Sequence, residues 1–137
     1  MRLLALIAGT SVLTGCAVAA RTDPATVSAW KTEALQTLPK CKSDKECEVK
    51  WAAARQYVLE HSAWKIQHMT SDFIETFSPP TGQWTLGWQV TKKPMSDGSY
   101  AIETKVWCGT TYTECEPPNW QALRDFNRAV NAAWKQP

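Results

Sequence analysis

Hydrophobic positions in this chain recur first at helical spacing, then at strand spacing, then at helical spacing again. Val27, Trp30, Ala34 and Leu38 follow Asp23-Pro24 at near-helical intervals. Aspartate before proline marks a helix start, because the carboxylate caps early amides and proline fits the first turn. A short helix ending before Pro39 is predicted. Ser43 with Glu46 three residues later is a capping-box pattern, and Asp44, Glu46 and Glu48 place negative charge where the helix dipole favours it. Cys47, Trp51, Ala54 and Val58 then form one apolar stripe, with Lys50, Arg55 and Glu60 off it, predicting a helix from Asp44 to Glu60.

From Trp64 to Phe77 the period shortens toward two, and Ile66, Thr70, Phe73, Ile74, Thr76 and Phe77 favour a pleated surface. One long or broken strand fits, with Ser71-Asp72 as a bulge or a turn. After the loop Ser78-Pro79-Pro80-Thr81-Gly82, Trp84, Leu86, Trp88 and Val90 alternate with polar residues or glycine. Past Asp97-Gly98, Tyr100, Ile102, Thr104, Val106 and Cys108 alternate with Ala101, Glu103, Lys105 and Trp107. These two runs predict an antiparallel hairpin with a longer loop. Pro117-Pro118 ends the extended region, and Leu123, Phe126, Val130 and Trp134 predict a last helix over Asn119 to Lys135.

The elements add up to an α+β domain: a three- or four-stranded antiparallel sheet with helices packed on one face, in the order α-β-β-β-α. Residues 39–137 are read as that single domain. Apolar and charged fractions of 44% and 20% are those of a chain that folds. Fifteen Lys and Arg, one of them Arg2 in the leader, face thirteen Asp and Glu. Near-neutrality, with acids interleaved among Lys40, Lys42, Lys45 and Lys50, argues against a nucleic-acid partner, which needs a basic face of one sign.

Met1-Arg2 starts a leader whose apolar run, Leu3 to Val12, is about half the length of a membrane-spanning helix. Leu13-Thr14-Gly15-Cys16 follows, and this pattern resembles the lipobox of bacterial lipoprotein signal peptides. The resemblance implies diacylglyceryl transfer to the Cys16 sulfur, cleavage before that residue and acylation of the new amine. Two or more acyl chains make a stable anchor, so the membrane becomes a partner through the N-terminal lipid. It divides the chain into a signal peptide at 1–15, a lipidated tether with a short helix at 16–38, and the domain. Ala17, in place of an aspartate, leans the sorting toward the outer membrane, facing the periplasm. An ordinary secretory leader cut after Ala17-Val18-Ala19 is the competing pattern.

Cys41, Cys47, Cys108 and Cys115 remain, an even number in an oxidising compartment. Of three pairings, Cys41 with Cys47 and Cys108 with Cys115 is favoured, since each joins an element end to a nearby loop over a short contour. Zinc motifs space cysteines by about two to four residues, whereas five and six intervene here. No cofactor or metal is expected.

Gly-x-Ser-x-Gly, P-loop and Gly-x-Gly-x-x-Gly patterns are absent. His61 and His68, with Glu60, Asp72 or Glu75 nearby, offer the alternative of a small periplasmic hydrolase-type enzyme. Their ordinary roles are a helix-end residue for His61 and a sheet-face residue for His68. Eight tryptophans are several-fold more than this length usually carries. Trp51, Trp88 and Trp134 fall on apolar stripes and read as core. Trp107 shares its strand side with Glu103 and Lys105, so it heads the binding candidates, followed by Trp84 and Trp120. The expected role is a noncatalytic envelope module that binds a protein or polysaccharide, or a structural part of the envelope.

Glu46-Cys47, Trp51, Lys65-Ile66-Gln67 and Ile74-Glu75-Thr76 occur within this helix, strands and helix arrangement. Together they resemble small uncharacterised exported proteins of proteobacteria. That resemblance covers residues 40 to 130 and adds no catalytic residue.

Overall fold

A computed structural model describes residues 21–110 and 114–135, so the leader and Cys16 lie outside the described residues. Helix α1 spans Pro24–Gln36, capped by the Asp23 carboxylate, which accepts from the Thr26 amide at 3.0 Å. Strand β1 is Lys40–Cys41 and helix α2 is Asp44–His61. Ser43 Oγ accepts from the Glu46 amide at 3.2 Å, and the Glu46 carboxylate in turn accepts from the Lys42 amide at 2.9 Å. The predicted capping box therefore closes one residue further upstream than its usual form. Strands β2, β3, β4 and β5 follow as Ile66–Met69, Phe73–Thr76, Gly87–Pro94 and Tyr100–Trp107, and helix α3 is Asn119–Ala132.

The class is α+β, as expected. The sheet holds five strands, all antiparallel, in the spatial order β1-β5-β4-β3-β2. This corrects the expected three or four strands and the order α-β-β-β-α. Two causes are visible. The run from Trp64 to Phe77 folds back on itself at Thr70–Asp72, where Thr70 Oγ1 donates to the Asp72 carboxylate at 2.7 Å, giving two strands. The segment before α2 adds a two-residue edge strand to β5, too short to show any periodicity.

Register aligns Trp88 with Val106 and Val90 with both Thr104 and Ile74. Side chains alternate across a strand, so Ile74, Trp88, Val90 and Ile102 all point to one face. Helices α2 and α3 cover that face with Ala54, Val58, Ala122, Phe126 and Val130. Trp88, 1% exposed, stands 6.2 Å from the Phe126 ring, and the Tyr57 ring meets both edge-on. Full burial of one such side chain stabilises a domain by about 1.5–3 kcal/mol.

The short helix expected within residues 16–38 is α1, and it lies along α3. Its contact combines the buried Ala34 with polar groups. Asn127 Nδ2 donates to the Ala34 carbonyl and Asn131 Nδ2 to the Thr37 carbonyl, both at 2.8 Å, satisfying acceptors at the end of α1. Arg128 grips the Glu33 carboxylate with Nε at 2.5 Å and Nη2 at 2.7 Å. That charged hydrogen bond holds the Glu33 carboxyl below its ordinary value of 4.5. Arg124 stacks over Trp30, and Lys31 over Trp120. Among the described residues, no helix is long and apolar enough to cross a membrane.

Candidate functional site: a groove between helix α2 and the sheet

Asp44, Glu48 and Trp51 sit at i, i+4 and i+7 on α2 and share one helix face. Opposite them, Lys92 continues the helix-facing row of β4 begun by Trp88 and Val90, while Tyr100 opens β5. Ser71, in the β2–β3 turn, closes the side. These residues and Cys47 line a groove of about 380 Å3, within the lower part of the range for small-molecule sites.

Lys92 occupies the middle. Its Nζ lies 5.6 Å from the Trp51 ring centroid and 5.7 Å from that of Tyr100, so one ammonium bridges an aromatic on the helix and one on the strand. Such contacts are worth about 0.5–1 kcal/mol each at exposed sites. Asp44 and Glu48 remain exposed, and among the described residues neither is ion-paired. The groove thus holds two aromatic rings with one ammonium over both, and acceptors on one wall.

The helix wall is pinned at its base. Cys41 and Cys47 are joined, S–S 1.99 Å, tying β1 to the first turns of α2. Lys50 is buried, donating to the Lys40 carbonyl at 2.6 Å and pairing with Glu46 at 2.9 Å. The Lys50 ammonium, with the Lys42 amide, holds the Glu46 carboxyl below its ordinary range. A buried ammonium left without partners would be costly, so this knot also fixes where Lys50 and its helix can sit.

The residues singled out from sequence lie elsewhere. Trp107 is half-buried on the other side of the sheet, in register with Gly87. A Cβ on Gly87 would come within 2.7 Å of Pro79 Cδ and 3.0 Å of the Trp107 ring, so ring and proline close over the glycine. Trp84, 60% exposed, lies just before β4, where its carbonyl accepts from the Glu116 amide. Trp107 and Trp84 therefore share one end of the sheet, and Trp120 belongs to the α1–α3 contact. Cys108 pairs with Cys115, S–S 1.91 Å.

The histidines have separate partners. His61 closes α2, with Nδ1 2.9 Å from the Tyr57 carbonyl and its ring stacked on Tyr57 at 3.8 Å. Burial pushes the Tyr57 phenol up to about 12. His68 Nδ1 lies 3.2 Å from the Glu75 carboxylate across β2 and β3, and Gln89 Nε2 donates to the same carboxylate at 3.4 Å. Among the described residues, no group of three or more His, Cys, Asp or Glu side chains is arranged to hold a metal ion.

Comparison with family models, curated proteins and solved structures finds no match to this chain. The groove therefore stands on its geometry alone. Sequence reasoning missed it because Trp51, on the apolar stripe of α2, packs against the core and also lines the groove, and periodicity reports only the first role. One signal was present: the alternation Trp88, Val90 places a lysine at the next apolar-phase position, 92.

Proposed function

We propose that this chain is a lipid-anchored module of a bacterial envelope that acts by binding rather than by catalysis. In this reading Cys16 carries the lipid, the outer membrane holds it on the periplasmic side, and the α2 groove meets the ligand, an envelope polysaccharide or protein. The observation that carries the reading is the joining of Cys41, Cys47, Cys108 and Cys115 in two short loops, in a chain whose Leu13-Thr14-Gly15-Cys16 resembles a lipobox. Such bonds persist in oxidising compartments, which an exported chain enters. The binding half is supported by Lys92 held between Trp51 and Tyr100, since aromatic anchors dominate recognition surfaces.

The test is Cys16→Ser in a bacterial host fed labelled palmitate. Loss of label and release from membranes are expected, and a variant that stays labelled overturns the anchor. A second reading, a hydrolase-type enzyme, is favoured by one observation, the 3.2 Å pairing of His68 with Glu75. It predicts an activity that His68→Ala abolishes.

A further inference from the structure

We propose that the α2 groove binds a neutral sugar ring of an envelope glycan, a proposal that rests on the binding-module reading and names its ligand. The argument proceeds by complementarity. Trp51 and Tyr100 stand on opposite walls with the Lys92 ammonium over both rings, and a pyranose whose hydroxyls draw that ammonium aside would set its apolar C–H face on them. Asp44 and Glu48 accept hydrogen bonds only, whereas the Lys92 ammonium donates only. A ligand must satisfy both kinds of group from one edge. A purely cationic ligand meets the repulsion of Lys92, which already occupies the space between the rings. A purely anionic one meets two carboxylates with no countercharge on their own wall. Hydroxyl groups donate and accept in turn, so a ring carrying several of them meets both walls without a net charge.

Placement on the molecule agrees with this. A volume of about 380 Å3 suits a small ligand or a short stretch of chain more than a protein segment with its own secondary structure. Tyr100, 38% exposed, sits at the mouth, and Ser71 adds a hydroxyl on the third side. The walls are fixed beforehand by the Cys41–Cys47 bond and by the β4–β5 ladder. Weak stacking and hydrogen bonds then suffice, since little ordering entropy is lost on binding.

The experiment titrates the mature lipidated protein, held in a zwitterionic detergent without a sugar headgroup, with maltohexaose, cellohexaose, mannohexaose and the hexamer of N-acetylglucosamine. Calorimetry is expected to show saturable binding to at least one of them at or below about 1 mM, a range typical of weak specific contacts. Trp51→Ala and Tyr100→Ala should each weaken it by about tenfold or more, as removal of an aromatic anchor does. Trp51→Phe, which keeps a ring, should retain most of it. If Trp51→Ala does not fold, Tyr100→Ala, at the exposed mouth, decides. Silence across the whole panel, or binding that both alanine variants leave unchanged, overturns the proposal. Crosslinking of a protein into the groove without sugar binding also overturns it and leaves the module reading intact. Continued palmitate labelling of Cys16→Ser strikes that broader reading and not the sugar site.

Discussion

Replacing Gly109 by alanine tests how the end of the sheet beside Trp107 is held. A Cβ at this position would lie 1.7 Å from the Pro80 carbonyl oxygen and 2.6 Å from its carbon. Withdrawing the oxygen to 3.0 Å moves it by roughly 1.3 Å, the difference between the two distances. The loop cannot move that far and keep its bonds. Gly82 donates to the Gly109 carbonyl at 2.7 Å, and Gly109 donates to the Gln83 carbonyl at 2.9 Å. Two net hydrogen bonds at about 0.5–1.5 kcal/mol each give a loss of about 1–3 kcal/mol. Overpacking costs fall in the same range, about 1–3 kcal/mol. Urea titration with both disulfides intact should show the midpoint falling by on the order of 1 M. Hydrogen exchange should speed up at the Gly82 and Gly109 amides. Thr81→Ala, which adds no bulk at the contact, serves as the control. A Gly109→Ala protein within about 0.5 kcal/mol of its parent, the range of neutral surface changes, would refute the steric argument.

Two further outcomes follow from the cross-links and the α1–α3 contact. The Glu33 carboxyl is depressed by its Arg128 hydrogen bond, so its contribution is complete above about 4.5 and is lost as pH falls through the lower folded value. Amides of α1 should therefore lose protection relative to α3 between pH 6 and pH 3, and equal protection at both values would contradict the clasp. Each disulfide closes a short loop, with separations of 6 and 7 residues, worth about 2 kcal/mol by loop entropy. Reduction of both should lower the unfolding free energy by about 4–5 kcal/mol, near the whole stability of many small domains, and a fall below about 1 kcal/mol would show the entropy argument fails here.

Helix α2 was legible almost to the residue because three signals agree: the Ser43 cap, acids in the first turn, and a stripe that meets the sheet. The same consistency placed β5. Elsewhere the local pattern lost to tertiary contacts. Trp84 and Leu86 alternate in phase with Trp88, yet β4 starts at Gly87, because residues 83 and 84 spend their backbone groups on Gly109 and Glu116. The last helix was read to Lys135 and ends at Ala132. Strand β1 has two residues and exists because Pro39 and the following pair lie beside β5, where the Ile102 amide donates to the Pro39 carbonyl at 2.8 Å. The docking of α1 was invisible for a different reason. Beside Ala34 and Trp30, its partners include asparagines and an arginine that bind carbonyls and a carboxylate, and the α1 stripe alone does not report such contacts.

The groove shows the same limit from the functional side. Periodicity assigns a side chain to a face, but a face that is core along most of its length stops being core where the covering helix ends. Trp88 and Val90 lie under α2 and α3, whereas Lys92, two residues on, has its ammonium over the Trp51 and Tyr100 rings. A lysine in the apolar phase is tolerated there because its charge reaches the rings. The cysteine bond then has a role beyond stability. By fixing the first turns of α2 to β1, it sets how far the helix stands from the strand carrying Tyr100, and so the width of the groove. Cysteine spacing could suggest the bond, but its effect on a binding surface depends on a sheet order that sets β5, with Tyr100, beside β1, and β4, with Lys92, beside β5.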